Sequence, residues 1–125
     1  MSIQIRKVSS KKELKTFVRF ANRLYKGNKY YVPSMPMDDM NTFTPEKNGA
    51  FDFSEAELYL AYKGDEVVGR GAAIINHKAN EAWKVKQVRF GWIDFIDDLE
   101  VSKALLDAVV AFGKARGMEQ IVGSL

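Results

Sequence analysis

Few side chains in this chain of 125 residues could do chemistry, and their types narrow the choice. Cys is absent, which excludes a thiolate nucleophile, a thiolate metal site and a disulfide framework. His77 is the only histidine, so neither a pair of histidine ligands nor a histidine relay can form within one chain. Three serines, Ser9, Ser10 and Ser34, lack the glycine-flanked turn of a serine nucleophile. The sequence therefore predicts no metal site and leaves carboxylates as candidates for acid–base chemistry.

Basic residues dominate the start of the chain, although the formal net charge is only +3. Residues 1–30 hold a single acid, Glu13, among many basic residues, whereas residues 38–66 are mainly acidic. A basic segment can attract phosphates or nucleic acid. Here the lysines and arginines fall on the polar side of an amphipathic pattern, without an aromatic–basic signature of RNA binding. We interpret them as a solvated helix face and expect no nucleic-acid partner.

The elements that position these side chains belong to one domain. With 46% hydrophobic and 12% aromatic residues the chain can build one core, so we assign residues 1–125 to a single domain. No apolar run approaches the ~20 residues of a membrane span. The start, MSIQIRKV, has no apolar signal core. The sequence thus predicts a cytoplasmic protein without a membrane partner.

Two long helices are predicted from apolar residues that recur with a helical period. Ser10 and Glu13 form a capping box, and the apolar stripe behind them predicts a helix over 11–26. A second helix is predicted over 99–116, and either of two acids can cap it, Asp97 or Asp98.

The segment 27–55 between the first helix and the later strands shows no clear period. It contains all three prolines and several aromatic residues. A short helical turn is expected near 36–41. Segments of this length without regular structure are uncommon in compact domains and are often functional. The aromatic residues indicate that the segment packs against the rest of the domain.

Alternating or apolar runs predict five strands, at 3–8, 56–63, 67–75, 86–96 and 119–122. Strict alternation in the fourth strand would place Val88, Phe90, Trp92 and Asp94 on one face. The predicted order is β-α-β-β-β-α-β, with a parallel crossover between the last two strands. The expected fold is α/β of the α+β kind, with a mixed, mainly antiparallel sheet.

This order and the local sequence resemble the GCN5-related N-acetyltransferases (GNAT), most closely one bacterial branch of GNAT-like proteins. The resembling stretches are FVRFANRLYKGNKYYVPSM at 17–35, EAELYLAYKGDEVVGRGAAIINHKANEAW at 55–83 and VRFGWIDFIDDLEVSKALLDAVVAFGKARGMEQIVGSL at 88–125. Together they cover nearly the whole chain. Members of that branch look longer, so the resemblance implies that the C-terminal part of the domain is absent here and that the chain is a truncated product.

The resemblance implies acetyl-CoA or another acyl-CoA as cofactor, without a metal. GNAT enzymes hold it in a splay between two parallel strands, here 86–96 and 119–122, and at the following helix N-terminus. The candidate cofactor-binding residues are Phe95, Ile96, Ser102 and Lys103. The usual Q/R-x-x-G-x-G/A motif is replaced by a glycine-free stretch that contains Asp97, Asp98 and Glu100, so the phosphate loop is degenerate.

The same resemblance implies transfer of an acyl group from a CoA thioester to a small-molecule amine. The candidate catalytic residues are two carboxylates near the central strands, Asp94 and Glu57, and Asp94 lies among apolar neighbours that can raise the pKa of a carboxyl. The alternative is a non-catalytic binding or assembly domain of the same fold. Without the C-terminal cover, strand 119–122 would present an open edge. We therefore expect a homodimer, with this strand and the segment 27–55 near the contact.

Overall fold

A single sheet of five strands carries helices on both faces. The structure, a computed structural model, describes residues 3–29, 36–44 and 48–123. The strands are β1 (Ile3–Lys7), β2 (Ser54–Lys63), β3 (Glu66–Asn76), β4 (Gln87–Phe95) and β5 (Gln120–Gly123). The α-helices in the described ranges are α1 (Lys11–Leu24), α2 (Pro36–Thr42), α3 (His77–Trp83) and α4 (Leu99–Ala115). A 3-10 turn, Gly49–Asp52, precedes β2.

The strand order in the sheet follows the chain, β1-β2-β3-β4-β5. The first three pairings are antiparallel, and β4 pairs with β5 in parallel. The predicted mixed sheet and its parallel crossover are therefore confirmed, and each predicted strand differs from the observed one by no more than two residues at either end.

Helix α1 begins where the capping box predicts. The Ser10 Oγ accepts a hydrogen bond from the Glu13 backbone N–H at 3.1 Å, and the Glu13 carboxylate accepts one from the Ser9 N–H at 3.1 Å. The hydrogen bonds that this carboxylate accepts, the one from the Ser9 N–H foremost, lower the pKa of Glu13. The helix buries Phe17 and Val18 against the sheet, while its lysines and arginines are exposed. These charges therefore lie on the side of α1 that faces away from the sheet, as the amphipathic pattern predicts.

Helix α4 covers the opposite face of the sheet. Its fully buried residues Val101, Leu105 and Val109 pack on the central strands. A glycine in β3 permits this close contact, because a Cβ atom at Gly69 would lie only 2.8 Å from the Val101 Cγ1. Side chains of α4 therefore occupy the space that a side chain at Gly69 would need.

The segment 27–55 packs on the α1 face of the sheet. The helical turn expected near 36–41 is confirmed as α2. Just after it, the Phe43 ring lies edge-on to Phe17 at 5.4 Å and to Trp92 at 4.7 Å, between ring centroids. Tyr30 and Tyr31, which we expected to pack as well, lie outside the described residues.

Candidate functional site

Strand β4 pairs with β5 over the first half of its length. The parallel ladder runs from the pair Gln87–Gln120 to the pair Phe90–Gly123. It ends where the described part of β5 ends, at Gly123.

A bulge in β4 lies just after the last residue that pairs with the described part of β5. Ala72 of β3 pairs with Gly91, but Arg70 pairs with Asp94, so β4 contains one extra residue over this stretch. Trp92 takes the left-handed conformation at φ 52°, which a bulky residue rarely adopts. Strained backbone of this kind is found disproportionately at functional sites.

The bulge overturns our assignment of faces in β4. Val88 and Phe90 pack on the α4 side as expected, but Trp92 packs with the α1-side cluster, together with Phe17 and Ile74. Asp94 also faces the α1 side, where it meets Arg70. The prediction that all four share one face was wrong, because strict alternation does not anticipate an inserted residue.

The N-terminus of α4 follows β4 after a three-residue connection and is closed by its own cap. The Asp98 Oδ1 accepts the Glu100 N–H at 2.9 Å, as one of the two predicted caps. The Asp98 carboxylate also pairs with the Lys63 ammonium at 3.6 Å. A helix N-terminus attracts anions through its unpaired N–H groups, and here a carboxylate already occupies one of them.

The four cofactor-binding candidates lie around this connection. Phe95 packs on the α4-side core, and the Ile96 N–H bonds to the Val68 carbonyl at 3.0 Å. The Ser102 hydroxyl donates to the Leu99 carbonyl at 3.0 Å, inside the first turn of α4, and Lys103 is exposed. They share one end of the β4–α4 unit, as the sequence predicted from their order.

The α4 end of this region carries three carboxylates, those of Asp97, Asp98 and Glu100. A carboxylate close to a pyrophosphate would oppose its binding by about 1 kcal/mol in a partly buried site. These residues therefore fit the pyrophosphate of an acyl-CoA poorly.

Asp94 belongs to a buried ion pair. The Arg70 Nη2 lies 2.8 Å from the Asp94 Oδ2, and its Nε donates to the same oxygen at 3.0 Å. The Tyr25 hydroxyl donates to the other carboxylate oxygen at 3.0 Å. The Arg70 Nη1 donates to the Phe17 carbonyl at 2.8 Å. The roles of Arg70 and Tyr25 were not predicted from the sequence. A single arginine inside the apolar run VVGRGAAII was the signal for the ion pair between Arg70 and Asp94.

Glu57 lies on the opposite face of the sheet from Asp94, so the structure does not bring the two catalytic candidates together. The Glu57 carboxylate pairs with Lys7 at 3.5 Å and accepts the Tyr59 hydroxyl at 2.9 Å. Burial, and next this hydrogen bond, raise the pKa of Tyr59. Nearby, His77 lies 3.8 Å from Glu55 at the start of α3, consistent with a histidine that anchors a loop.

A cleft of about 390 Å³ opens on the α1 side of the sheet at the bulge. Strand β4 contributes Arg89, Phe90, Gly91 and Trp92, strand β3 contributes Ile74 and Asn76, and strand β2 contributes Ser54 and Ala56. Thr42 at the end of α2, and Phe43 just after it, close the cleft. The cleft thus crosses the α1 face of the sheet from β2 to β4 and reaches the bulge.

A larger cleft, about 740 Å³, lies between the start of α1 and α2. Its floor includes Leu14, Met40 and Leu58, and lysines stand around it. None of its described lining residues belongs to β4 or α4. We therefore place the candidate site at the smaller cleft, next to the bulge.

Among residues 3–29, 36–44 and 48–123, no group of acidic or histidine side chains gathers closely enough to hold a metal ion. None of the helices in this described part of the chain has the length and apolar character needed to cross a bilayer.

Two curated bacterial proteins resemble the chain over almost its whole length. Protein YghO of Escherichia coli K12 is 31% identical over 119 residues, which are 95% of this chain and 30% of that protein. Bacterial ceramide synthase of Caulobacter vibrioides is 31% identical over 117 residues, 93% of this chain and 30% of that protein. The chain therefore spans less than a third of the length of these relatives. It matches no protein-family profile.

Solved structures with the same architecture are acetyltransferases and related proteins. A tandem GNAT protein from the clavulanic acid biosynthesis pathway superimposes with a TM-score of 0.75 at 9% identity, over 99% of this chain and 37% of that one. AAC(6')-Iy, in complex with the bisubstrate analogue CoA-S-monomethyl-acetylneamine, gives 0.68 at 16% identity, over 100% and 80%. Glucosamine-6-phosphate N-acetyltransferase from Arabidopsis thaliana gives 0.66 at 12% identity, over 100% and 83%.

These superpositions define the class of protein to which the fold belongs. The chain has the fold of the GCN5-related N-acetyltransferases, as the sequence resemblance implied.

Proposed function

We propose that this chain provides the acyl-CoA side of an N-acyltransferase, an enzyme that moves an acyl group from a CoA thioester to an amine. The observation that carries the proposal is the bulge at Trp92 in β4, shortly before the N-terminus of α4, in a fold that is shared with N-acetyltransferases. Gly91 to Phe95 would hold the pantetheine arm through backbone groups. Ile96, Ser102 and Lys103 lie where the pyrophosphate would follow.

Two relatives support this reaction class. A ceramide is an amide of a fatty acid with a long-chain base, so the relative named bacterial ceramide synthase bears the name of an enzyme that makes an N-acyl bond. A structure of the same fold was solved with a CoA-linked bisubstrate analogue. Both facts concern other proteins, and they favour acyl transfer to nitrogen over other chemistry for this fold.

Acyl transfer of this kind forms a C–N bond, breaks the thioester C–S bond and requires the amine to lose a proton. The bound acyl-CoA supplies the activated acyl group. Asp94 is our proposed acceptor of the proton, since it lies two residues after the bulge and faces the α1 side of the sheet, as the cleft does. Glu57 is the alternative acceptor, and it faces the other side.

The pyrophosphate end provides the test of the proposed function. We expect acetyl-CoA to bind this chain with a Kd of about 1 mM or weaker, because three carboxylates surround the α4 N-terminus. Asp98→Asn keeps a good helix cap and removes one negative charge. It should tighten acetyl-CoA binding about fivefold, which corresponds to about 1 kcal/mol of relieved repulsion. Isothermal titration calorimetry measures both values.

The matched control is Asp107→Asn, an exposed acid further along α4, which should leave the affinity unchanged. Low-micromolar binding by the unmodified chain would contradict the degenerate phosphate loop. No binding by Asp98→Asn, in which part of the repulsion is removed, would contradict the N-acyltransferase proposal itself and favour a non-catalytic domain.

The alternative function, a binding or assembly domain of the same fold, is favoured by one specific observation. Strand β5 has only four residues, pairs on one side with β4, and leaves 39% of Ile121 exposed. An apolar side chain on an open edge suits a contact with another chain. We propose a homodimer in solution for this reason. A cytoplasmic location stays a prediction from the N-terminal sequence.

A further inference from the structure

Arg89 is the one charged side chain among the described residues that line the cleft beside the bulge. The other lining residues are neutral, either apolar or polar without charge. Arg89 lies directly opposite Ile74 in the β3–β4 ladder, and paired residues share a face of the sheet. The arginine therefore stands on the α1 side, where the cleft opens, and half-buried within its wall.

No ion pair or hydrogen bond to another described residue engages the Arg89 guanidinium. Arg70, the nearest comparable residue, shows the contrast: on the same face it is held by Asp94, the Phe17 carbonyl and two aromatic rings. Removing a cation from water is costly unless an anion compensates for the lost hydration. A partly desolvated guanidinium without a protein partner therefore favours an anion from outside the chain.

The position of Arg89 separates this anion from the phosphates of a CoA. Arg89 precedes Ile96 by seven residues of extended chain, about 20 Å, so it lies at the opposite end of β4 from the α4 N-terminus. It is only two residues, about 7 Å, from Gly91 at the start of the bulge. An anion bound here would belong to the second substrate.

We infer that the cleft selects an amine that also carries an anionic group, a carboxylate or a phosphate, and that Arg89 binds that group. The inference rests on the proposed acyl transfer for its meaning, since the amine would be the acyl acceptor. Arg89 fixes the anion, and the amine end points to the stretch at Gly91 and Trp92. The apolar lining of Phe43 and Ile74 accommodates the spacer between the two groups.

Tryptophan fluorescence provides a direct test, because Trp92 lines the cleft. The chain has two tryptophans, and Trp83 is 68% exposed on α3, so Trp83→Phe leaves Trp92 as the single reporter. The ligands are two amines with an anionic group, β-alanine and 2-aminoethyl phosphate, and two controls. The controls are 2-aminoethanol, which has the amine but no anionic group, and inorganic phosphate, which has no amine. We expect saturable fluorescence changes with at least one of the two anionic amines and none with 2-aminoethanol.

Comparison of the two anionic amines shows whether Arg89 prefers a carboxylate or a phosphate group. A change with inorganic phosphate that equals the change with 2-aminoethyl phosphate would show an anion site that ignores the amine, and would overturn the inference. Arg89→Gln should weaken binding of the preferred ligand at least about tenfold, and Arg89→Lys should restore part of it, since the charge returns without the planar fork.

The matched control is Arg19→Gln, an exposed arginine on α1, which should leave the affinity unchanged. Urea unfolding of each variant verifies that it folds. The inference is wrong if Arg89→Gln binds the preferred ligand as tightly as the unsubstituted protein does. It is also wrong if 2-aminoethanol gives the same response as the anionic amines, or if no ligand gives a saturable response up to about 100 mM. The assay contains no acyl-CoA, so anionic amines that bind while acetyl-CoA does not would reject the proposed function and leave the anion site standing.

Discussion

Arg70 carries its charge into the α1 face of the sheet, where only 5% of the residue is exposed. The free-energy cost of burying this charge is offset by the Asp94 carboxylate and the Phe17 carbonyl. The ring faces of Phe17 and Trp92, at 5.2 and 5.5 Å, offset it further. The pair joins β3 to β4 across the bulge and ties α1 to both. The residues around the bulge are therefore held by electrostatics as well as by packing.

Removing the Asp94 carboxylate should destabilise the fold strongly. Asp94→Ala leaves the Arg70 cation buried without its partner, which costs about 3–5 kcal/mol in the free energy of unfolding. Urea denaturation measures this change. Asp97→Ala, an exposed acid three residues later, is the matched control and should change stability by less than about 0.5 kcal/mol. If Asp94→Ala lowers the free energy of unfolding by less than about 1 kcal/mol, the ion pair does not stabilise the fold as described.

The buried Tyr59 predicts a specific response to alkaline pH. Burial, and then its bond to Glu57, raise the pKa of Tyr59 above the value of about 10 in an unfolded chain. The stability linked to this hydroxyl is complete below pH 10 and is lost as the pH rises through the folded pKa, because the unfolded state releases the proton first. Tyr59→Phe should flatten this loss. Urea unfolding between pH 8 and 11 measures this loss. If the free energy of unfolding depends on pH equally in both proteins, the prediction is wrong.

Helix α4 gives the sheet its second covered face. Val101, Leu105, Val109 and Phe112 recur at helical spacing and are nearly or fully buried. Gly113 lets the helix approach β4, since a Cβ atom there would lie 2.7 Å from the Val88 Cγ1. The start of the same helix forms the end of the candidate acyl-CoA groove, so its packing on the sheet also fixes that end.

Two neighbouring leucines in α4 test this packing. Leu105 is fully buried and Leu106 is 40% exposed. Leu105→Ala should lower the free energy of unfolding by about 2–5 kcal/mol, through lost burial and the cavity left behind. Leu106→Ala, the same chemical change one residue on, should cost far less. Similar losses for the two variants in urea unfolding would mean that α4 does not face the sheet as described.

Local signals in the sequence predicted the helices and strands well. Ser10 with Glu13 fixed the start of α1, an aspartate fixed the start of α4, and apolar spacing fixed the faces of both helices. Helix α1 ends at Leu24, two residues before the predicted end, since Tyr25 already leaves the helical conformation. These features depend on neighbours in the chain, which a single sequence contains.

The site was harder to predict, because it depends on contacts between distant parts of the chain. The order of elements located Phe95, Ile96, Ser102 and Lys103 at one end of β4–α4. The bulge at Trp92 has no glycine or other local marker at the inserted residue, so alternation placed Trp92 and Asp94 on the wrong face. In the sequence, Arg89 could not be told from any other polar residue of a half-buried strand. That its guanidinium has no ion-pair or hydrogen-bond partner among the described residues is visible only in the folded chain.

At the scale of the whole molecule, the sheet has unequal edges. Strand β1 pairs with β2 over five residues, and β5 pairs with β4 over four. Among the described residues β5 has no partner on its outer side, and it carries the exposed Ile121. In the homodimer that we propose, a two-fold contact would pair β5 of one copy with β5 of the other.

We therefore expect the chain to sediment as a dimer, at twice its mass of 14.2 kDa, at micromolar concentration. Ile121→Lys should shift the equilibrium to the monomer, because it puts a charge into the apolar part of the contact. Leu106→Lys, on an equally exposed leucine of α4, should leave the dimer intact. Analytical ultracentrifugation that finds a stable monomer of the unmodified chain would reject the dimer.

The bulge leaves β4 with two consecutive residues, Gly91 and Trp92, on the α1 side of the sheet. Loss of either residue would restore regular alternation, with Asp94 still on the α1 side and Phe90 and Ile93 still on the α4 side. Loss of a residue elsewhere in β4 would turn part of the strand over and bring core side chains to the cleft. A shortened chain that lacks Trp92 should therefore fold with a straighter strand β4.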